Sequence, residues 1–510
     1  MVSSTKKKRN YIDVFLNIIE KGGNALPHPA TLFALFALSV LLLSVVGYWL
    51  NWQAVHPGTG EIIHTVNLLS KEGLNKVIVE MVRNFTDFAP LGIVLVAMLG
   101  IGLAEASGLI GALIRILVLS SHKKILTFVI VFAGILSNVA SDIGYVLLIP
   151  LGGVIFHAMG RHPFVGMAAA FAGVSGGFSA NLIIGTLDPL LAGLSEEAAH
   201  ILDPTYMVNP TANYYFMFAS TFLIAGLGTW ITERIVAPRF GNYQGSVPPE
   251  AIEPLSPIEK KGLKWSLVLL AGWIVVMVIG LWSPNGILRG PNGGLLNSPI
   301  IKGIITFLLL IAGSMGVVYG SINGKFKNDG DVADSMANSL KTMSSYIVLV
   351  FFAAQFVAYF KWSNLGIIMA VSGADILINA NLGVIPLMLL FIVLAATVNM
   401  VMGSASAKWA IMAPVFIPIF MLLGYSPELS QAVYRVGDSV TNIISPMMSY
   451  FALIIAYFQK YDHRAGMGTI ISTMIPYSII FFIGWSLFLI AWILLEIPLG
   501  PGAGLYYQMP

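Results

Sequence analysis

Tyr434-Arg435-Val436-Gly437-Asp438-Ser439-Val440-Thr441-Asn442 sets an arginine, an aspartate and three further polar side chains inside a stretch, about 430–458, that is otherwise mostly apolar. A charge at the centre of a membrane helix costs roughly 2.5–3.5 kcal/mol on insertion scales. Charges there persist when they meet each other, a substrate or an ion. Arg435 and Asp438, spaced i, i+3, share a helix face, and Asn442 follows at i+4 from Asp438. A purely structural ion pair is the plainer reading of the two charges. The nearby oxygens of Ser439, Thr441 and Asn442 weigh toward a functional one.

Composition says why such a segment is exceptional. The chain has 510 residues, 57% hydrophobic and only 10% charged, with a mean hydropathy of +0.84. Soluble domains carry about 25% charged residues, so lipid must cover most of this surface. With about 20 apolar residues per span, the length allows about ten crossings plus loops. Apolar segments fall near 31–50, 88–119, 125–158, 164–194, 212–236, 265–283, 299–321, 342–360, 382–402, 409–424, 430–458 and 470–496. The first lies too far in, and ends without a small-residue cleavage site, so it reads as a retained span rather than a signal peptide.

The net charge is +3, and the basic residues flank apolar stretches instead of forming a nucleic-acid stripe. Lys6-Lys7-Lys8-Arg9, His122-Lys123-Lys124, Lys260-Lys261 with Lys264, Lys325 with Lys327, and Lys460 with His463 and Arg464 all follow this pattern. By the positive-inside rule they place the N-terminus and the 237–264, 322–341 and 459–464 stretches on the cytoplasmic side. Stretches 51–86 and 284–298 then lie on the periplasmic side. The Pro-rich, charged segment 237–264 reads as a linker between a first half, 1–236, and a second half, 265–510, of opposite topology.

A repeat supports the division. Pro150, Gly160, Pro163 and Gly173 have the same three separations as Pro414, Gly424, Pro427 and Gly437, offset by 264 residues. Asn138 and Asn399 precede the first proline of each set, and Asn181 through Asp188-Pro189 loosely parallels Asn442 through Ser445-Pro446. Inverted repeats with interrupted helices at matching positions point to the binding site of a secondary transporter. The two broken polar segments, 137–190 and 398–450, are therefore the candidate site. Gly- and Ser-rich backbone at membrane depth is tolerated only where it is buried in protein or lines a cavity.

Several other residues carry chemistry. Asp188, ahead of Pro189, has no sequence-local basic partner; it can ligate Na⁺, carry a proton, or cap a helix that begins at Pro189. Trp409, i, i+3 from Ser406, can stack on an aromatic substrate, although membrane tryptophans are more often packing or interfacial. Lys408 reads as a residue at a half-helix end. Asp142 and Glu105 are second-rank acids, Gln355 a helix-to-helix hydrogen bond, and His157 and His162 the flanks of a turn. The chain has no cysteine, which removes thiolate chemistry. It also has no GxxxxGK[ST] or H-E-x-x-H motif. The reading is a transporter, not an enzyme, with no cofactor beyond a coupling ion, Na⁺ or H⁺. A channel and an intramembrane enzyme are the competing classes.

Asn181-Leu182-Ile183-Ile184-Gly185-Thr186-Leu187-Asp188-Pro189, Gly403-Ser404-Ala405-Ser406-Ala407-Lys408-Trp409 and Tyr434 through Pro446 resemble the AbgT family, the aminobenzoyl-glutamate transporters. The likeness runs nearly the whole chain, including Asn84 to Gly92 and Asn285 to Arg289, and is closest to the family's efflux branch. It implies an all-α polytopic membrane protein of the bacterial inner membrane, a bowl-shaped homodimer. Each protomer would have about nine transmembrane helices and two re-entrant hairpins, divided into a dimerising core and a transport core. It further implies cation-driven transport of p-aminobenzoyl-glutamate, p-aminobenzoic acid and the sulfonamides that mimic the latter. The family's functional positions resemble Asp188, Asn399, Ser406, Trp409, Arg435, Asp438 and Pro446 here, with Lys408 where a neutral residue is expected. Arg435 would then hold a substrate carboxylate, Trp409 its ring, and Asp188 and Asp438 the coupling ion. Asn399, Ser406 and Asn442 would be neutral ligands, and Na⁺ would be placed at Asp438, Asn442 and Asn399. An importer of p-aminobenzoyl-glutamate and a dicarboxylate symporter are the alternatives to an exporter.

Overall fold

The computed structural model describes residues 27–55, 60–139, 143–249, 254–283, 285–290, 293–294 and 298–509. The basic run at Lys6 to Arg9, on which the N-terminal orientation was argued, and Asp142 lie outside them.

Helix dominates, as it must where lipid offers backbone groups no hydrogen bonds. In order these are α1 Pro29–Trp49, α2 Lys71–Thr86, α3 Ala89–Ser107, α4 Leu109–Leu119, α5 Leu126–Ser137, α6 Gly144–Ala158, α7 Pro163–Gly176, α8 Leu187–Ala199 and α9 Tyr214–Phe240. Then follow α10 Pro257–Trp282, α11 Ile304–Ile322, α12 Asp329–Thr342, α13 Ser344–Trp362, α14 Leu365–Asn379 and α15 Val384–Val401. The last four are α16 Ala405–Leu422, α17 Pro427–Asn442, α18 Phe451–Gln459 and α19 Met467–Leu494. A two-stranded antiparallel ribbon, Gln53–Val55 with Ile62–His64, follows α1. Among the described residues nine helices are long and apolar enough to cross a membrane, the continuous run Lys71–Ser107 counting as one.

Boundaries differ from the sequence reading where caps and amphipathic helices intervene. The polar stretch 322–341 contains α12, because Asn328 caps it by accepting from Asp331 N–H at 3.0 Å and two acids favour its N-terminal dipole. The stretch 51–86 contains α2, which runs on into α3. The segment assigned to the linker ends early, since Ser256 and Glu259 form a capping box that starts α10 at Pro257. The apolar run 125–158 is two helices, α5 and α6.

The matched glycines and prolines occupy matched positions. Gly160 and Gly424 have φ of +77° and +86°, a left-handed turn that glycine adopts without cost. Each turn ends a helix, and Pro163 and Pro427 open the next at the position where a missing N–H costs nothing. Further along, a Cβ on Gly173 would run into the Val131 carbonyl of α5, and one on Gly437 into the Ile392 carbonyl of α15. Helix α7 thus lies backbone-to-backbone on α5, and α17 lies the same way on α15. Helices α9 and α19 pack beside these pairs, and α8 joins α3 to α16.

Candidate substrate and ion site

Interrupted helices converge on one cavity of about 280 Å³. Its wall includes Asn138 at the end of α5, Phe178 after α7, Thr186 and Leu187 at the start of α8, Ser406 on α16, Asn442 at the end of α17, and Tyr450. Tyr145 also lines it, stacked on Tyr450 with ring centroids 4.6 Å apart and planes 12° from parallel. Ser404 caps α16 after the break at 402–404, and Ser445 Oγ donates to the Asn399 carbonyl at 3.0 Å. Broken backbone is satisfied by neighbouring hydroxyls, as membrane depth requires.

Arg435 does not pair with Asp438. Its Nη2 lies 2.7 Å from Asp188 Oδ1, so the ion pair joins the two broken segments rather than two turns of one helix. Both residues are buried, at 4% and 2% exposure. The i, i+3 reading failed because it compared only neighbours in sequence, and the partner comes from the other half. Asp188 is not a cap at Pro189 either. Helix α8 starts two residues earlier, at Leu187, and Asp188 Oδ2 accepts the Gly185 N–H at 2.7 Å. Arg435 Nε has no hydrogen-bond partner among the described residues.

Asp438 is paired with Lys408, the residue read as a helix end. The lysine is fully buried on α16 and its Nζ also donates to Asn399 Oδ1. Asn399 Nδ2 contacts the Asp438 carbonyl at 2.7 Å and Thr441 Oγ1 and Asn442 Oδ1 at 2.8 Å each. Asn442 Nδ2 returns to Asp438 Oδ2 at 3.4 Å. Asn442 therefore has one side on the cavity and the other in this cluster. Each buried carboxylate of the site faces an internal cation, which offsets part of the cost of taking both charges out of water.

Trp409, expected to stack on an aromatic substrate, does not line the cavity. It is fully buried, its ring stacks on Tyr434 at 4.5 Å, and its Nε1 donates to Ser195 Oγ at 3.0 Å. Ser195 in turn donates to Gln431 Oε1 at 2.7 Å, and Tyr434 OH to the Ala405 carbonyl at 2.6 Å. Ser406 and Asn442, expected as neutral ligands, do line the cavity. Pro446 lies in the break between α17 and α18, half-buried. Gln355 makes the expected helix-to-helix bond, accepting from Asn84 Nδ2 at 2.9 Å. Sequence reasoning missed the Tyr145–Tyr450 stack, and nothing local in the sequence signals it.

The comparisons with known proteins agree with the fold. A model of the "AbgT putative transporter family" matches residues 14–507. The chain belongs to the AbgT family. Over 485 residues, 95% of both chains, it is 37% identical to the p-aminobenzoyl-glutamate transport protein of Escherichia coli strain K12. It is 48% identical to the YdaH transporter of Alcanivorax borkumensis, whose crystal structure is described as revealing an unusual topology. The TM-score is 0.90, over 93% of this chain and all of that one. Against MtrF of Neisseria gonorrhoeae, described as illuminating a class of antimetabolite efflux pumps, the TM-score is 0.91 at 48% identity. That match covers 96% of this chain and all of MtrF. This AbgT chain is thus a multi-pass membrane transporter and not an enzyme.

Proposed function

We propose that this AbgT protein is a cation-coupled exporter of aromatic carboxylates of the folate pathway, p-aminobenzoic acid and p-aminobenzoyl-glutamate, and of sulfonamide drugs that mimic the former. It would act as a homodimer in the bacterial inner membrane with a cytoplasmic N-terminus. The observation that carries the reading is the cavity lined by Thr186 and Leu187, which directly precede Asp188, the partner of Arg435. Its stacked Tyr145–Tyr450 pair and Phe178 offer a flat aromatic wall, and its about 280 Å³ falls just below the ~300–1,000 Å³ typical of ligand sites, a size for a single ring. Asn138 Oδ1 has no hydrogen-bond partner among the described residues and suits a ring amine. Arg435, paired with Asp188 next to the lining residue Leu187, suits the carboxylate at the other end, since a guanidinium fork binds carboxylates in bidentate fashion.

Helix pairs α5–α6 and α15–α16 are read as the two re-entrant hairpins, with the following helices α7–α8 and α17–α18 as interrupted spans of an inverted repeat. On that reading, two of the nine helices that could cross by length, α15 and α16, are hairpin arms. Supporting the repeat are the matched turns at Gly160 and Gly424 and the matched contacts of Gly173 and Gly437. Transport would be by alternating access, with Trp409 holding Tyr434, and through it Asp438, in place. In an exporter the two loads alternate, the substrate carboxylate leaving on Arg435 during the outward stroke and the driving cation entering on Asp188 during the return. An inward cation contributes about 2.3 kcal/mol per charge per 100 mV.

One observation favours a second reading. Because Arg435 and Asp188 neutralise each other, an anion on Arg435 and a cation on Asp188 load together, which is the logic of a symporting importer of p-aminobenzoyl-glutamate. The test for both is uptake and counterflow of radiolabelled p-aminobenzoic acid and p-aminobenzoyl-glutamate in proteoliposomes, with Na⁺ and pH gradients imposed separately. Saturable counterflow identifies a carrier, and the sign of the driven flux distinguishes antiport from symport. Non-saturable flux without counterflow would mean a channel. Flux of neither compound under any gradient would sink the substrate assignment and return the search to dicarboxylates.

A further inference from the structure

The position where Na⁺ was expected, among Asp438, Asn399 and Asn442, already holds a positive charge. Lys408 Nζ meets Asp438 Oδ1 and Asn399 Oδ1 together, at a residue with no exposed surface. The other oxygens of the trio are also committed. Asn442 Oδ1 takes an Asn399 N–H at 2.8 Å, Asp438 Oδ2 takes Asn442 Nδ2 at 3.4 Å, and Asp438 Oδ1 lies 3.3 Å from the Tyr434 hydroxyl. A hard cation needs several oxygens free to turn toward it. Here each is turned toward an N–H, an O–H or an ammonium, so these residues do not fit Na⁺.

We propose that Lys408 is a tethered cation that fills this site and excludes Na⁺ from it, leaving Asp188 as the carboxylate on which the driving ion acts. An ammonium is a compact charge with three donors. Carried by α16, it neutralises Asp438 on α17 and fixes Asn399 on α15, tying three helices at the break as a bound metal ion would. The assignment to Asp188 rests on the transport reading above; the exclusion of Na⁺ at Asp438 does not.

The test is equilibrium binding of ²²Na⁺ to the purified full-length chain, with tryptophan fluorescence as a second readout, since Trp409, one of ten tryptophans, stacks on the tyrosine that touches Asp438. Wild type is expected to show no saturable Na⁺ binding that Asp438→Asn removes. Lys408→Ala is expected to gain saturable Na⁺ binding and a Na⁺-dependent fluorescence change, both lost in Lys408→Ala/Asp438→Asn. Wild-type Na⁺ binding abolished by Asp438→Asn would overturn the proposal, as would a folded Lys408→Ala protein that binds no Na⁺. Should Lys408→Ala fail to fold, the wild-type comparison decides alone. Because the readout is ion binding, a wrong substrate leaves the result intact.

Discussion

Arg435 and Asp188 form a buried ion pair, 2.7 Å apart, between the interrupted segments of the two halves of the chain. Its consequence is that the cation proposed to bind substrate is not free in the resting site; it is already held by the acid from the other broken segment.

Removing one member of that pair strands the other. Asp188→Asn should cost about 3–5 kcal/mol of stability, the usual penalty for an uncompensated buried charge. The double variant Asp188→Asn/Arg435→Gln should recover much of it. Thermal unfolding in detergent measures both, and additive losses would show that the pair is not energetically coupled.

Trp409→Ala should lower stability by about 3–5 kcal/mol, as expected for emptying a packed aromatic site. Trp409→Phe keeps a ring against Tyr434 and loses only the bond to Ser195, about 0.5–1.5 kcal/mol. Transport by Trp409→Phe should keep the wild-type KM. A raised KM at unchanged stability would place Trp409 on the substrate after all.

The Tyr145–Tyr450 stack should matter to affinity instead. Tyr450→Ala gives up an aromatic contact of about 0.5–1.5 kcal/mol, up to about tenfold in KM for p-aminobenzoic acid. Tyr450→Phe should be nearly silent. Concentration-dependent uptake in proteoliposomes distinguishes them, and equal KM values for all three proteins would remove the pair from the site.

Gly173→Ala and Gly437→Ala should both be severely destabilising, at or above the upper end of the about 1–3 kcal/mol for overpacking, because each new methyl meets a backbone carbonyl that cannot rotate away. Gly226→Ala on α9, where nothing lies within 4 Å, should be neutral or gain up to about 1 kcal/mol of helix propensity. Monodispersity after purification is the quickest check.

Much of this was legible in the sequence because apolar runs and Gly/Pro punctuation are local signals. Gly160, Pro163, Gly424 and Pro427 declared the turns between helices, and the polar residues of 434–442 declared a site. Partnerships were not legible. Arg435 was read with Asp438 since they are three residues apart, and Lys408 was discounted for lying at a helix end. Which carboxylate meets which cation depends on how α8, α15, α16 and α17 cross, a long-range fact with no local trace. Helix α12 was hidden for a different reason: a surface helix of mostly polar residues looks like a loop unless its Asn328 cap is weighed.

The glycine contacts also bear on how the molecule can move. With α7 seated backbone-to-backbone on α5, and α17 on α15, no side-chain layer remains within either pair to slide or repack. Each pair is a stiff lever. Any excursion of the transport cycle must then be absorbed where the levers meet the rest of the protein.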